Sequence, residues 1–145
     1  MIIDFKLLEL EYSNLNDILK IVQDKIQEIK SKYKTEKICY VAGKVTADGV
    51  DGILKNLDRL KAYTEQLDST NNIFVFSAAD IFNTEVYWKL NLPYPDHEYE
   101  FYEFWGEILK SGVTDIYMTP KWEDSAGATD EYNRAVKLEL TIHFL

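Results

Sequence analysis

The side chains best suited to chemistry in this 145-residue chain lie close together near its C-terminal end. They are Asp115, Trp122, Asp124, Ser125, Gly127 and Glu131, within TDIYMTPKWEDSAGATDEYNRAVKLE (residues 114–139). Behind Asp115 the apolar run Ile116-Tyr117-Met118 predicts a short buried strand, closed by Pro120. Residues 121–124 then read as a loop, and residues 125–128 as a turn opening a helix over about 129–138. Ala128, Tyr132, Ala135, Val136 and Leu138 share one broad face of that helix, and Glu131 faces the end of the strand. Unpaired backbone N–H groups at a helix start can receive an anion. A carboxylate beside them suits a phosphorylated or glycosidic substrate. A capping serine and a surface glutamate would account for the same string without any function.

The same residues carry a family resemblance. The string from Asp115 to Glu131 resembles the signature of the nucleoside 2-deoxyribosyltransferase-like superfamily. That group includes nucleoside deoxyribosyltransferases, nucleoside 5'-monophosphate N-glycosidases and a branch of small bacterial and phage proteins. The pattern is an Asp heading a strand, a loop, then Ser-x-Gly-x-x-x-Glu and a small residue; here Asp115, Ser125, Gly127, Glu131 and Ala135 match it. Trp122 matches a loop tryptophan of the small-protein branch. Earlier, Ile38, Tyr40, Ala42 and Gly43 match a family strand of the form Ile-x-Tyr-x-Ala-Gly-Pro, with Lys44 where the proline would stand.

The resemblance implies N-glycosidic bond cleavage with retention, Glu131 being the nucleophile at C1' of the sugar. Ser125 and the amides of Gly127 and Ala128 would hold a 5'-phosphate or 5'-hydroxyl. Tyr40, Gly43, Trp122 and Asp124 would line the crevice, and Lys44 could hold a phosphate. A second carboxylate is implied on the preceding helix: the family offset lands on Glu107, with Glu103 one turn away and equally able to face inward. A homo-oligomer is also implied, and no cofactor.

These residues need a scaffold, and the hydrophobic pattern supplies one. Residues 37–43, 72–76, 114–119 and 140–145 read as parallel strands with helices between them. The expectation is a small, doubly wound, mainly parallel α/β sheet of the Rossmann or flavodoxin-like kind, binding its ligand at the strands' C-terminal ends. One domain is expected, with residues 1–35 as a strand–helix extension and 36–145 as the core. Residues 1–12 read as a strand, or else a helix. Asn14 can cap a helix over 15–32 with Leu15, Ile18, Leu19, Val22, Ile26 and Ile29 on one face.

From Asp48-Gly49 a second helix carries Val50, Ile53, Leu54, Leu57, Leu60 and Leu67 and ends before residue 69. The 77–80 turn would border the crevice. Pro93 and Pro95 mark residues 90–96 as an extended loop. A third helix over about 97–110 carries Tyr99, Phe101, Tyr102, Trp105, Ile108 and Leu109. Aromatic crowding from Tyr87 and Trp88 through Tyr94 to Tyr102 fits stacking on a nucleobase, and fits core packing or a subunit interface equally. His97 has no spaced partner for a metal, and His143, between Ile142 and Phe144, reads as structural.

Composition narrows the classes. The chain is 46% hydrophobic and 14% aromatic, which excludes disorder. A formal charge of −9 excludes a sequence-independent grip on nucleic acid. The single cysteine, Cys39, excludes a disulfide scaffold and fits a reducing cytoplasm. Asp4, Lys6 and Glu9 interrupt the first apolar run, so neither a signal peptide nor a membrane span is expected there. The expected ligand is a nucleoside or nucleotide. The alternatives are an inactive nucleotide-binding module of the same fold and an interaction protein.

Overall fold

The structure is a computed structural model that describes residues 1–33, 37–70, 72–83, 85–86, 90 and 98–145. The expectations for Tyr87, Trp88, Pro93, Tyr94, Pro95, Asp96 and His97 lie outside the described residues. Four strands, β1 (Ile38–Ala42), β2 (Phe74–Ser77), β3 (Asp115–Met118) and β4 (Thr141–Phe144), form one sheet in the order β2-β1-β3-β4. Every neighbouring pair is parallel. The fold is therefore a small α/β sheet of the Rossmann or flavodoxin-like kind. All residues of β1 and β2 are buried, which is why both read as unbroken apolar runs rather than alternating ones.

The helices follow from their apolar spacing. Helix α1 (Leu15–Lys32) starts at Asn14, whose side chain accepts the Asp17 N–H at 2.9 Å, and buries Ile18, Val22, Ile26 and Ile29. Helix α2 (Ile53–Thr70) buries Leu57, Leu60 and Leu67. Its start is later than the sequence suggested, because a 3-10 turn, Val50–Gly52, follows the left-handed Gly49, and it runs on through Thr70. Leu54 belongs to its solvent side. Helix α3 (Glu98–Lys110) buries Phe101, Phe104, Trp105, Ile108 and Leu109 but turns Tyr99 outward. Helix α4 (Ala126–Lys137) starts three residues earlier than expected, with Ser125 as its cap; Ala128 and Ala135 are buried, whereas Val136 is exposed.

Residues 1–12 do not make a regular strand. Ile2 forms an isolated parallel bridge with Val75, backed by Ile3 N–H to Val75 O and Val75 N–H to Met1 O, and a 3-10 turn follows at Leu7–Glu9. The backbone leaves the edge of β2 too soon to extend the sheet, while Ile3, Phe5 and Leu7 join the core.

The sheet order puts a topological switch between β1 and β3: the chain leaves β1 toward β2 and returns to β3 on the other side. Thr119, just past β3, closes this point, since its N–H and its hydroxyl each donate to Ala42 O at 3.0 Å. Strand alternation sends Tyr40 and Gly43 to opposite faces. Tyr40 stacks near Trp105 of α3 at 5.1 Å, while a side chain at Gly43 would meet Leu60 of α2. Among the described residues, no helix is long and apolar enough to cross a membrane.

Candidate functional site

At the C-terminal end of the sheet, where a doubly wound fold holds its ligands, a cavity of about 500 Å³ opens. Its floor includes Gly43 after β1 and Ala78 after β2, and the start of α4 forms one wall. Phe82, Phe101, Tyr102 and Trp105 give it an aromatic wall, and Asp124, Asp130 and Glu131 an acidic one. The volume suits a ligand of nucleoside size.

Glu131 is the most unusual group there. It is only 7% exposed, and its Oε2 has no hydrogen-bond partner among the described residues. Burial pushes its carboxyl up to about 8; the hydrogen bond from Tyr40 acts against that rise, and Asp130 adds to it. A buried acceptor without a partner costs on the order of 1–3 kcal/mol, and sites that keep one commonly use it on a ligand.

The beginning of α4 is built to hold Glu131 in place. Ser125 is buried, and its hydroxyl accepts the Ala128 N–H at 3.1 Å. That bond occupies the Ala128 amide, which is therefore not open to a phosphate as the sequence suggested. One turn on, Arg134 clamps Asp130 at 2.7 Å and Glu103 at 3.2 Å, tying α4 to α3. Its guanidinium packs over Gly106, where an added side chain would come within 2.2 Å of Arg134 Nη1 and displace it.

Of the expected site residues, Gly43, Asp124, Ser125, Gly127, Ala128 and Glu131 line the cavity. Tyr40 lies beneath it and reaches it through Glu131. The others do not line it. Lys44 pairs with Asp48 at 3.4 Å. Trp122 stacks on Tyr132 at 4.7 Å, with Phe144 beyond, because the left-handed Lys121 turns the loop away. Glu107 pairs with Lys110 at 3.3 Å, and Glu103 with Arg134. Neither faces inward as expected, because α3 gives its inner side to Phe101, Phe104, Trp105 and Ile108.

The family-pattern Asp115 lies at the opposite end of β3. It is 2% exposed and is bonded by Thr114 Oγ1 at 2.6 Å and His143 Nε2 at 2.8 Å. His143 is thus structural, stacked on Tyr117 at 4.2 Å. In the 77–80 turn, Asp80 accepts the Ser77 N–H at 2.8 Å, and burial lifts its carboxyl to about 6. Burial also pushes the Cys39 thiol up to about 12, which keeps it unreactive.

Sequence reasoning missed Asp130 as a wall residue. Asp130 carried one signal, its position four residues before Arg134, the spacing of an ion pair on a helix. Among the described residues, no three His, Cys, Asp or Glu side chains come together to hold a metal ion. Comparison of the chain with protein-family models, curated proteins and solved structures finds no match.

The arrangement offers, among the described residues, one buried carboxyl at the wall of an aromatic, acidic cavity. Such a group can attack an electrophilic carbon when ionised, or give a proton when neutral.

Proposed function

We propose that this protein cleaves or transfers the N-glycosidic bond of a nucleoside or nucleoside 5'-monophosphate, with Glu131 as the nucleophile at C1'. The observation that carries this reading is the Glu131 carboxyl: buried, with Oε2 unpartnered, at the wall of a cavity with aromatic rings beside it. The hydroxyl of Tyr40 orients the carboxyl and favours its ionised form. Phe82, Phe101, Tyr102 and Trp105 line the cavity, and aromatic walls suit a flat base. Water as the acceptor makes the reaction a hydrolysis, and a second base makes it a transfer. The resemblance around Ser125, Gly127 and Glu131 supports the same chemistry.

A second reading is an inactive nucleotide-binding module. The outward placement of Glu103 and Glu107 favours it, since neither stands near a departing base. One assay separates the two. Purified protein is incubated with ribo- and deoxyribonucleosides and their 5'-monophosphates, beside Glu131→Ala, and free base is measured by chromatography. Base release or exchange by the wild type alone is the expected result. Binding by calorimetry without turnover would favour the module, and neither binding nor turnover would overturn both readings.

A further inference from the structure

The charge of the cavity bears on which nucleoside it takes. Three acidic residues, Asp124, Asp130 and Glu131, line it, and the cavity-lining residues described include no Lys or Arg. Lys44, the nearest expected cation, is turned to Asp48 instead. Phe82, Phe101, Tyr102 and Trp105 line the same cavity. Negative ring faces and carboxylates together attract a flat cation. The acidic wall also holds a side chain that has not been satisfied within the protein: Glu131, more than nine-tenths buried, with Oε2 unpartnered.

A proton donor for the departing base is missing from the places where the sequence put it. Glu103 and Glu107 lie outside the cavity, bound to Arg134 and Lys110. Asp130 is held by the Arg134 guanidinium, which makes it an acceptor, and Asp124 is exposed to solvent. A neutral base leaves sluggishly without a proton. A base that already carries a positive charge needs none.

We propose that the cavity selects a nucleoside whose base is cationic, a pyridinium or N-alkylated purinium glycoside without a phosphate, and breaks its C1'–N bond with no proton added to the base. This rests on the glycosidic reading above. A carboxylate oxygen of Glu131 bonds to C1' as the C1'–N bond breaks. The electron pair of that bond returns to the ring nitrogen, discharging it, and the base departs neutral. Water then attacks C1' of the glycosyl ester, the Glu131 carboxylate leaves, and the water's proton goes to solvent. The ligand's charge also prepares its own nucleophile, since a cation beside a buried carboxyl favours the ionised form.

The test compares three probes on the full chain: nicotinamide riboside, which is cationic; uridine, which is neutral; and nicotinamide mononucleotide, which adds a phosphate. Base release is followed by chromatography, and binding to Glu131→Gln by calorimetry. The expected result is a preference of about tenfold or more for the riboside over either other probe. Asp124→Asn, a change at an exposed position, should reduce that preference about three- to tenfold, the scale of one partly screened charge. Equal or better use of uridine or the mononucleotide would overturn the charge selection while leaving a glycosidase in place. So would a preference that Asp124→Asn leaves untouched. If no probe binds or reacts while the melting transition shows a folded protein, the glycosidic reading falls with it.

Discussion

The hydroxyl of Tyr40, from the middle of β1, hydrogen-bonds the carboxyl of Glu131 on α4, so a core strand residue acts on the one buried acid among the cavity-lining residues described. The two residues act against each other. Burial raises the carboxyl toward about 8, and the Tyr40 bond draws it back. For a nucleophile the ionised form is the working one, so kcat/KM should rise with pH and level off above about pH 8. A pH–rate profile with a neutral nucleoside checks this. A rate that falls through the same range would make Glu131 a proton donor instead.

The same shift has a consequence for stability. The folded-state value of Glu131 stands above its ordinary 4.5, so the contribution from keeping it neutral is fully present below about 4.5 and is lost as pH rises through about 8. Glu131→Gln keeps the shape and cannot ionise. Its unfolding free energy relative to wild type should therefore improve from near pH 5 to about pH 9, toward a limit of a few kcal/mol, read by denaturant unfolding. Equal pH dependence in the two proteins would show that Glu131 is already ionised in the fold.

Gly43 stands where the chain passes Thr119, and a side chain there would lie 2.1 Å from Thr119 Oγ1. That oxygen is fixed by its bond to Ala42 O and cannot swing aside freely. Gly43→Ala should cost about 1–3 kcal/mol in denaturant unfolding. Adding Thr119→Ala should recover part of the loss, a coupling that a double-mutant cycle reads directly.

Asp115 tests the split between the two ends of the sheet. Thr114, His143 and Lys37, at 2.6, 2.8 and 3.8 Å, surround a side chain that is almost wholly buried. Asp115→Ala leaves those partners without their acceptor and should cost about 1–3 kcal/mol. Folded protein recovered at low temperature should keep its KM for any substrate. A change in KM without loss of stability would put Asp115 in the site after all.

Much of this fold was legible because local patterns decided it. The Asn14 cap and the spacing of Ile18, Val22, Ile26 and Ile29 fix α1 to its observed bounds, Leu15–Lys32. Unbroken apolar runs mark β1 and β2 as central strands. Side-chain direction was less legible. Glu103 and Glu107 are acidic at the right distance in sequence, yet α3 is rotated by the packing of Phe104, Trp105 and Ile108, which no local pattern specifies. Trp122 went the same way, drawn to Tyr132 and Phe144 across a fold-dependent contact. The burial of Glu131 is likewise a property of three elements meeting, although its position in the string pointed to it.

Tyr40→Phe separates orientation from packing. The ring contacts with Phe76 and Trp105, at 5.3 and 5.1 Å, are kept, and only the hydroxyl is removed. Without that donor the Glu131 carboxyl loses what opposed its burial, so its value must move further above about 8. The pH at which kcat/KM levels off should shift upward by about one unit, the size of a lost hydrogen bond to a charged acceptor. At neutral pH the rate should fall about tenfold, and at high pH it should largely recover. A residue that merely filled space would lower the rate equally at every pH. The upward shift with recovery is the signature of a hydroxyl that works by holding Glu131 in its ionised form.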